Sequence, residues 1–156
     1  MMKIPINILI VDDERDFVEM LSLRLTDEGH RVRSAFSGQE ALKILDETEE
    51  GALPETDVVI LDIKMPGMDG IDTLKLIKTR HPVVEVILLT GHGAVDTAVV
   101  GLKSGAFDYL LKPADYNDLI AKLEAARKQR DAHAERLREV EAKALMRKSG
   151  GIFTIE

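Results

Sequence analysis

The chain has 156 residues, 45% of them apolar, no cysteine, and a formal charge of −7. That length suits one domain with a short appendage, and the apolar share suffices for a core, which excludes general disorder. The missing cysteines exclude a disulfide scaffold, a thiol nucleophile and thiolate-held metals, and the acidic average argues against a chain-wide nucleic-acid surface.

Five short apolar runs, at 6–11, 31–36, 57–61, 84–90 and 107–111, alternate with five helical patterns. The first run is nearly all Ile, Leu and Val, as in a strand covered on both faces. It ends in Asp12-Asp13-Glu14, and a helix follows whose buried stripe is expected at Phe17, Leu21 and Leu25, with Gly29 placed for a left-handed C-terminal cap. The second run is more polar and reads as an edge strand. Ser37 with Glu40 forms a capping box ahead of Ala41, Leu42 and Leu45. The third run is nearly continuous Val, Ile and Leu and stops at Asp62. Asp69 then caps a helix carrying Ile71, Leu74 and Ile77, and Pro82 follows its end. The fourth run ends in Thr90-Gly91. A further helical pattern closes at Gly105, and the fifth run leads into Lys112-Pro113. Asp115 caps the last helix. Alternation of this kind implies a parallel sheet with right-handed crossovers, an α/β fold of (βα)5 form.

The last helical pattern runs from 116 to 148, and the composition changes along it. Residues 1–121 hold 12 basic and 22 acidic side chains, whereas residues 122–148 hold 9 basic and 5 acidic. A heptad walk gives Ala126, Arg130, His133, Leu137, Val140 and Ala144; Arg130 and His133 interrupt it, which disfavours a strong coiled coil. Pairs such as Asp118–Lys122, Glu124–Lys128 and Glu139–Lys143 add about 0.2–0.5 kcal/mol each. A solvated extension and a weak dimer or partner helix remain equal readings. Gly150 and Gly151 end the helix, and 152–156 reads as a loose tail.

Ligands of open parallel sheets sit beyond the carboxyl ends of the strands. There the runs deliver Asp12 and Asp13, Asp62, Thr90 and Lys112. Charges about 5 Å apart at an effective dielectric near 20 repel by roughly 3 kcal/mol per pair. Three converging carboxylates therefore favour a cation, and hard oxygen ligands suit Mg2+. Helix capping would account for one of Asp12 and Asp13, but not for Asp62 at the end of a buried strand. With a cation there, Asp62 is the best nucleophile candidate, since carboxylates attack phosphorus to give an aspartyl phosphate. Lys112 offers a cation and Thr90 a hydroxyl for phosphoryl oxygens. Taken singly, Thr-Gly and Lys-Pro are ordinary strand ends and turns.

Together, Asp12-Asp13-Glu14, the run from Leu61 to Gly70 (LDIKMPGMDG), Thr90-Gly91 and the run from Gly105 to Pro113 (GAFDYLLKP) resemble the receiver domain of two-component response regulators over about 6–125. The resemblance is nearest to receivers of nitrogen-regulation-type transcription regulators. It implies a doubly wound five-stranded sheet in the flavodoxin-like order 2-1-3-4-5. It further implies Asp62 as phosphoacceptor, Asp13 as direct metal ligand, Asp12 as a partner acting mostly through water, and the Lys64 carbonyl as a further ligand. Thr90 and Lys112 match the phosphate-sensing pair and Tyr109 the switch aromatic, for which an ordinary half-buried strand tyrosine is the plain alternative. Lys112-Pro113 is expected to be cis. Lys64 and His92 occupy positions that tune self-hydrolysis in such proteins, and Gly91 leaves room for the phosphoryl group. His30, His81 and His133 are expected at the surface.

The functional expectation is a signalling switch that accepts a phosphoryl group from a sensor histidine kinase or phosphotransfer protein onto Asp62, with Mg2+. The alternatives are a Mg-dependent aspartyl-phosphate phosphatase, which usually needs Asp-x-Asp where this chain has Asp62-Ile63-Lys64, and a flavin or nucleotide carrier, which needs a Gly-rich phosphate loop after the first strand. No Walker loop or helix-turn-helix follows Lys112, so direct nucleic-acid binding is not expected. No apolar run or amino-terminal stretch suggests a membrane span or signal peptide, which points to the cytoplasm. The expected organisation is a receiver domain over 1–125, a helix extension over 126–148 that offers a homodimer surface, and a tail over 149–156. Stand-alone regulator and fragment of a longer one remain open.

Overall fold

The computed structural model describes residues 4–49, 55–64, 69–91 and 95–148. Strands and helices alternate throughout: β1 (Asn7–Val11), α1 (Arg15–Asp27), β2 (Arg31–Ala35), α2 (Gly38–Glu49), β3 (Val58–Leu61), α3 (Gly70–Arg80), β4 (Glu85–Thr90), α4 (Val95–Lys103), β5 (Asp108–Leu111) and α5 (Tyr116–Lys148). The strands form one parallel sheet in the order β2-β1-β3-β4-β5, as expected. Met65 to Met68, His92 with Gly93, Met1 to Lys3 and the tail from Ser149 lie outside the described residues.

Side-chain alternation divides the core into two layers. Leu9, Val11, Val59, Leu61, Val86 and Leu88 face α2, α3 and α4. Ile8, Ile10, Val58, Ile60, Ile87 and Leu89 face α1 and α5. The three central strands are apolar on both faces because helices cover both. β2 lies at the edge and is mostly half-buried, consistent with its polar sequence.

The helix ends follow their local chemistry. Ser37 Oγ accepts the Glu40 N–H at 3.1 Å, while the Glu40 carboxylate reaches back to the Phe36 N–H at 3.3 Å. Asp69 accepts from Ile71 N–H, and Asp115 from Asn117 and Asp118 N–H. Gly29 and Gly105 adopt φ of 98° and 108°, the left-handed region that side chains avoid.

Four expectations are corrected. The buried stripe of α1 is Val18, Leu21 and Leu25; Phe17, one position round the helix, is half-buried. Asp57 precedes β3 rather than opening it. It is buried, and its carboxylate accepts the Asn7 N–H at 2.9 Å. His30 and His81 are buried, not superficial: His30 Nδ1 accepts the Ile6 N–H, and His81 Nε2 lies 2.8 Å from Asp46. Each sits just beyond a helix end, with its ring turned onto a polar group of another segment. His133 is half-buried.

One face of the root of the α5 extension also packs on the body of the protein. Ala126 and Ala134 are buried, and Arg127 and Arg130 each lie 3.4 Å from an Asp57 oxygen. Arg127 also donates to the Pro5 carbonyl, and Arg130 to Glu55. Arg130 interrupts the heptad because it faces this body of the protein. Lys122 pairs with Asp108 on β5 rather than with Asp118.

Candidate functional site

Register decides which side chains meet at the carboxyl end of the sheet. Val11 pairs with Leu61, so Asp12 and Asp62 emerge side by side, and the Asp62 N–H donates to the Val11 carbonyl at 2.9 Å. Thr90 pairs with Leu111, which places Lys112 immediately beyond it, its N–H donating to the Thr90 carbonyl at 2.7 Å. The Lys112-Pro113 peptide is cis.

Oxygens of Asp12, Asp13 and Asp62 approach within 4.8 Å of one another. Asp12 and Asp62 are buried and Asp13 is exposed. Lys112 Nζ enters from β5, 2.5 Å from Asp12, 3.6 Å from Glu14 and 3.9 Å from Asp62. Its other flank faces the Phe17 ring, with the centroid 4.3 Å away. One ammonium thus serves three carboxylates.

Burial pushes the Asp62 carboxyl up to about 6, and the neighbouring Asp12 charge pushes in the same direction. Lys112, the Lys64 N–H at 3.2 Å and the Thr90 hydroxyl oppose the rise. The Thr90 hydroxyl lies near enough to favour the Asp62 charge, yet it makes no hydrogen bond of normal geometry. Its oxygen is buried without a partner. Such an orphan is uncommon in a folded protein. Lys112 rises despite burial, because the Asp12 hydrogen bond and the Asp12, Asp62 and Glu14 charges hold its proton.

Two backbone features keep the Asp62 end in shape. Asp12 accepts the Glu14 N–H at 2.9 Å, which turns the chain into α1. At the other side Gly70 lies against the strand end: a Cβ there would stand 2.4 Å from Ile63 Cα and 2.7 Å from the Asp62 carbonyl oxygen. Only glycine lets α3 start so close to Asp62.

All the residues singled out from strand-end chemistry converge here. The Lys64 side chain is exposed, and Tyr109 is half-buried against the α2–α4 layer, with its N–H bonded to Asp108. The Asp108 carboxyl is raised by its burial but more strongly lowered by Lys122 and the Tyr109 N–H, and it ends below its ordinary value. Sequence reasoning did not single out Phe17 as a neighbour of Lys112. The signal available was its place in the first turn of α1, four residues after Asp13.

An orphan buried hydroxyl beside three oxygen ligands fits a hard divalent cation with an oxyanion. Among the described residues, no helix is long and apolar enough to cross a membrane.

Comparison with known proteins agrees with this geometry. The family model for the response regulator receiver domain matches residues 8–124. A putative NtrX-like response regulator of Rickettsia bellii (strain RML369-C) is 42% identical over 123 residues, 78% of this chain and 24% of that protein. The transcriptional regulatory protein ZraR of Escherichia coli (strain K12) is 42% identical over 121 residues, 78% of this chain and 26% of that protein. The chain thus spans about a quarter of the length of these curated relatives. The crystal structure of a response regulator receiver domain protein from Clostridium thermocellum aligns with a TM-score of 0.74 at 38% identity, covering 81% of this chain and 98% of that one.

Proposed function

The chain belongs to the response regulator receiver domain family, and from that premise we propose that it is a switch that accepts a phosphoryl group onto Asp62 from a histidine kinase or phosphotransfer protein. In that step a carboxylate oxygen of Asp62 forms the new O–P bond while the N–P bond to the donor imidazole breaks. The imidazole keeps the bonding pair and takes up a proton. The chain is a phosphoacceptor rather than a turnover catalyst, and its output is a changed binding surface.

The observation that carries this reading is the buried Asp62 carboxylate beside two further carboxylates, one lysine and an unpartnered threonine hydroxyl. Asp12, Asp13 and Asp62, with the Lys64 carbonyl, are the residues that would hold Mg2+. When bound, the ion supplies the positive charge that the carboxylates and a phosphoryl group together lack. Lys112 is poised to leave Asp12 for a phosphoryl oxygen on Asp62, and Thr90 to donate its free hydroxyl to another. Phosphorylation adds about −1.5 to −2 charges. That charge draws Thr90 inward and lets Tyr109 follow, which reshapes the face of α4, β5 and α5. On α4, Val99 and Val100 are exposed.

We assign residues 1–125 to the receiver and 126–148 to a helical arm that offers a homodimer surface. The setting that suits this chemistry is the cytoplasm. The test is intact-mass analysis after incubation with a small phosphodonor and Mg2+. One phosphoryl adduct is expected on the wild type, and none on Asp62→Asn or in the presence of a chelator. No adduct on the wild type, or an equal one on the variant, overturns the reading.

A further inference from the structure

We propose that Phe17 is a positioning residue for Lys112: its ring face keeps the ammonium on the Asp12–Asp62 side of the pocket. The inference rests on the phosphoacceptor reading above, because it adds a residue to that site.

Lys112 Nζ has three acidic neighbours of unequal merit. Asp12 and Asp62 are buried, whereas the Glu14 side chain is 67% exposed. A free four-carbon stem would be drawn outward to Glu14 and water, since a hydrated ammonium loses solvation on every step inward. The Phe17 ring, 4.3 Å from the nitrogen, changes that balance. An aromatic face is the negative part of the ring quadrupole, so it compensates a desolvated cation where an aliphatic wall does not.

The ring is also held in place. Phe17 packs against the core layer that faces α1 and α5, and it lines a groove of about 410 Å3 with Met20, Leu21, Leu89, Tyr116 and Leu119. The attraction is to the ring face as a whole and fixes no single N–H, so the ammonium can turn its donors toward oxygens while it stays beside the ring. Lys112 can therefore slide from Asp12 toward an oxygen carried by Asp62 while keeping its support. Leucine at this position would preserve the helix and its apolar packing but would present no such face.

The test compares wild type, Phe17→Leu and Phe17→Tyr. By NMR, the Lys112 ε-methylene protons should be shifted upfield by the ring in wild type and Phe17→Tyr, and return to the position of the other lysines in Phe17→Leu. With phosphoramidate and Mg2+, Phe17→Leu should accept the phosphoryl group about three- to tenfold more slowly, while Phe17→Tyr stays within about twofold of wild type. An unshifted Lys112 resonance in wild type overturns the proposal without any variant, so a Phe17→Leu that fails to fold leaves it testable. Equal rates for folded Phe17→Leu and wild type also overturn it. A wild type that takes no phosphoryl group defeats the phosphoacceptor reading instead, and the ring-current shift then decides whether Phe17 holds Lys112.

Discussion

β3 has a buried carboxylate just outside each end, Asp57 before it and Asp62 after it, 4% and 6% exposed. At the amino end, the fold supplies Asp57 with its own counter-charges. The Asn7 N–H donates to it at 2.9 Å, and Arg127 and Arg130 each stand 3.4 Å away. At the carboxyl end, Asp62 meets two carboxylates and a lysine that is closer to Asp12 than to itself. Both groups are equally withdrawn from water. What separates them is whether the chain completes their neutralisation. At Asp57 it does, and the result is an anchor for α5. At Asp62 it does not, and the shortfall is what a cation and a phosphoryl group would fill.

The contrast can be broken by experiment. Asp57→Ala deprives two arginines of a counter-charge and the Asn7 N–H of its acceptor, and should lower the unfolding free energy by about 3 kcal/mol. Urea denaturation measures it, and a loss below about 1 kcal/mol would mean that Glu55, Asp131 and the Pro5 carbonyl suffice for the two arginines.

Asp62→Asn should do the opposite without divalent ions. A folded pKa of about 6, against an ordinary 3.8, means that the folded state binds more protons between roughly pH 4 and 6. Stability contributed by this group therefore falls as pH rises through that window. The variant removes a penalty of up to about 3 kcal/mol at pH 7.5 and changes little near pH 4. Urea melts in chelator at the two pH values check it; an equal effect at both would refute the linkage. Smallest is the response to the ion itself. Mg2+ at ten times its dissociation constant should stabilise the wild type by about 1.4 kcal/mol. The gain should shrink in Asp13→Asn and persist in Asp57→Asn, read as melting temperature.

The same contrast explains how far the sequence could be read. Strand ends are local: an apolar run that stops at Asp12, Asp62, Thr90 or Lys112 announces its polar residue, and a parallel sheet brings such ends together. Caps are local too, which is why Ser37, Asp69, Asp115, Gly29 and Gly105 behave as their spacing suggests. Asp57 looked like the first residue of a strand because its partners on α5 are 70 and 73 positions away. Helical periodicity marked Arg130 only as an interruption of a heptad, since a pattern within one helix carries no information about a distant carboxylate. The burial of His30 and His81 escaped for the same reason. Phe17 was legible as apolar and helical, but its position over Lys112 depends on how α1 packs beside β5.

The anchoring of α5 has a mechanical side. Beyond Leu137 every described position of the helix is exposed, through Lys148. At 1.5 Å per residue this stretch extends about 16 Å past its last half-buried residue. A helix clamped at its base by Asp57 and exposed along its last turns is a lever. A tilt of about 10° at Arg130 would carry Lys148, about 27 Å along the helix, nearly 5 Å sideways. A small change of packing at that root would thus become a displacement that a bound neighbour would feel.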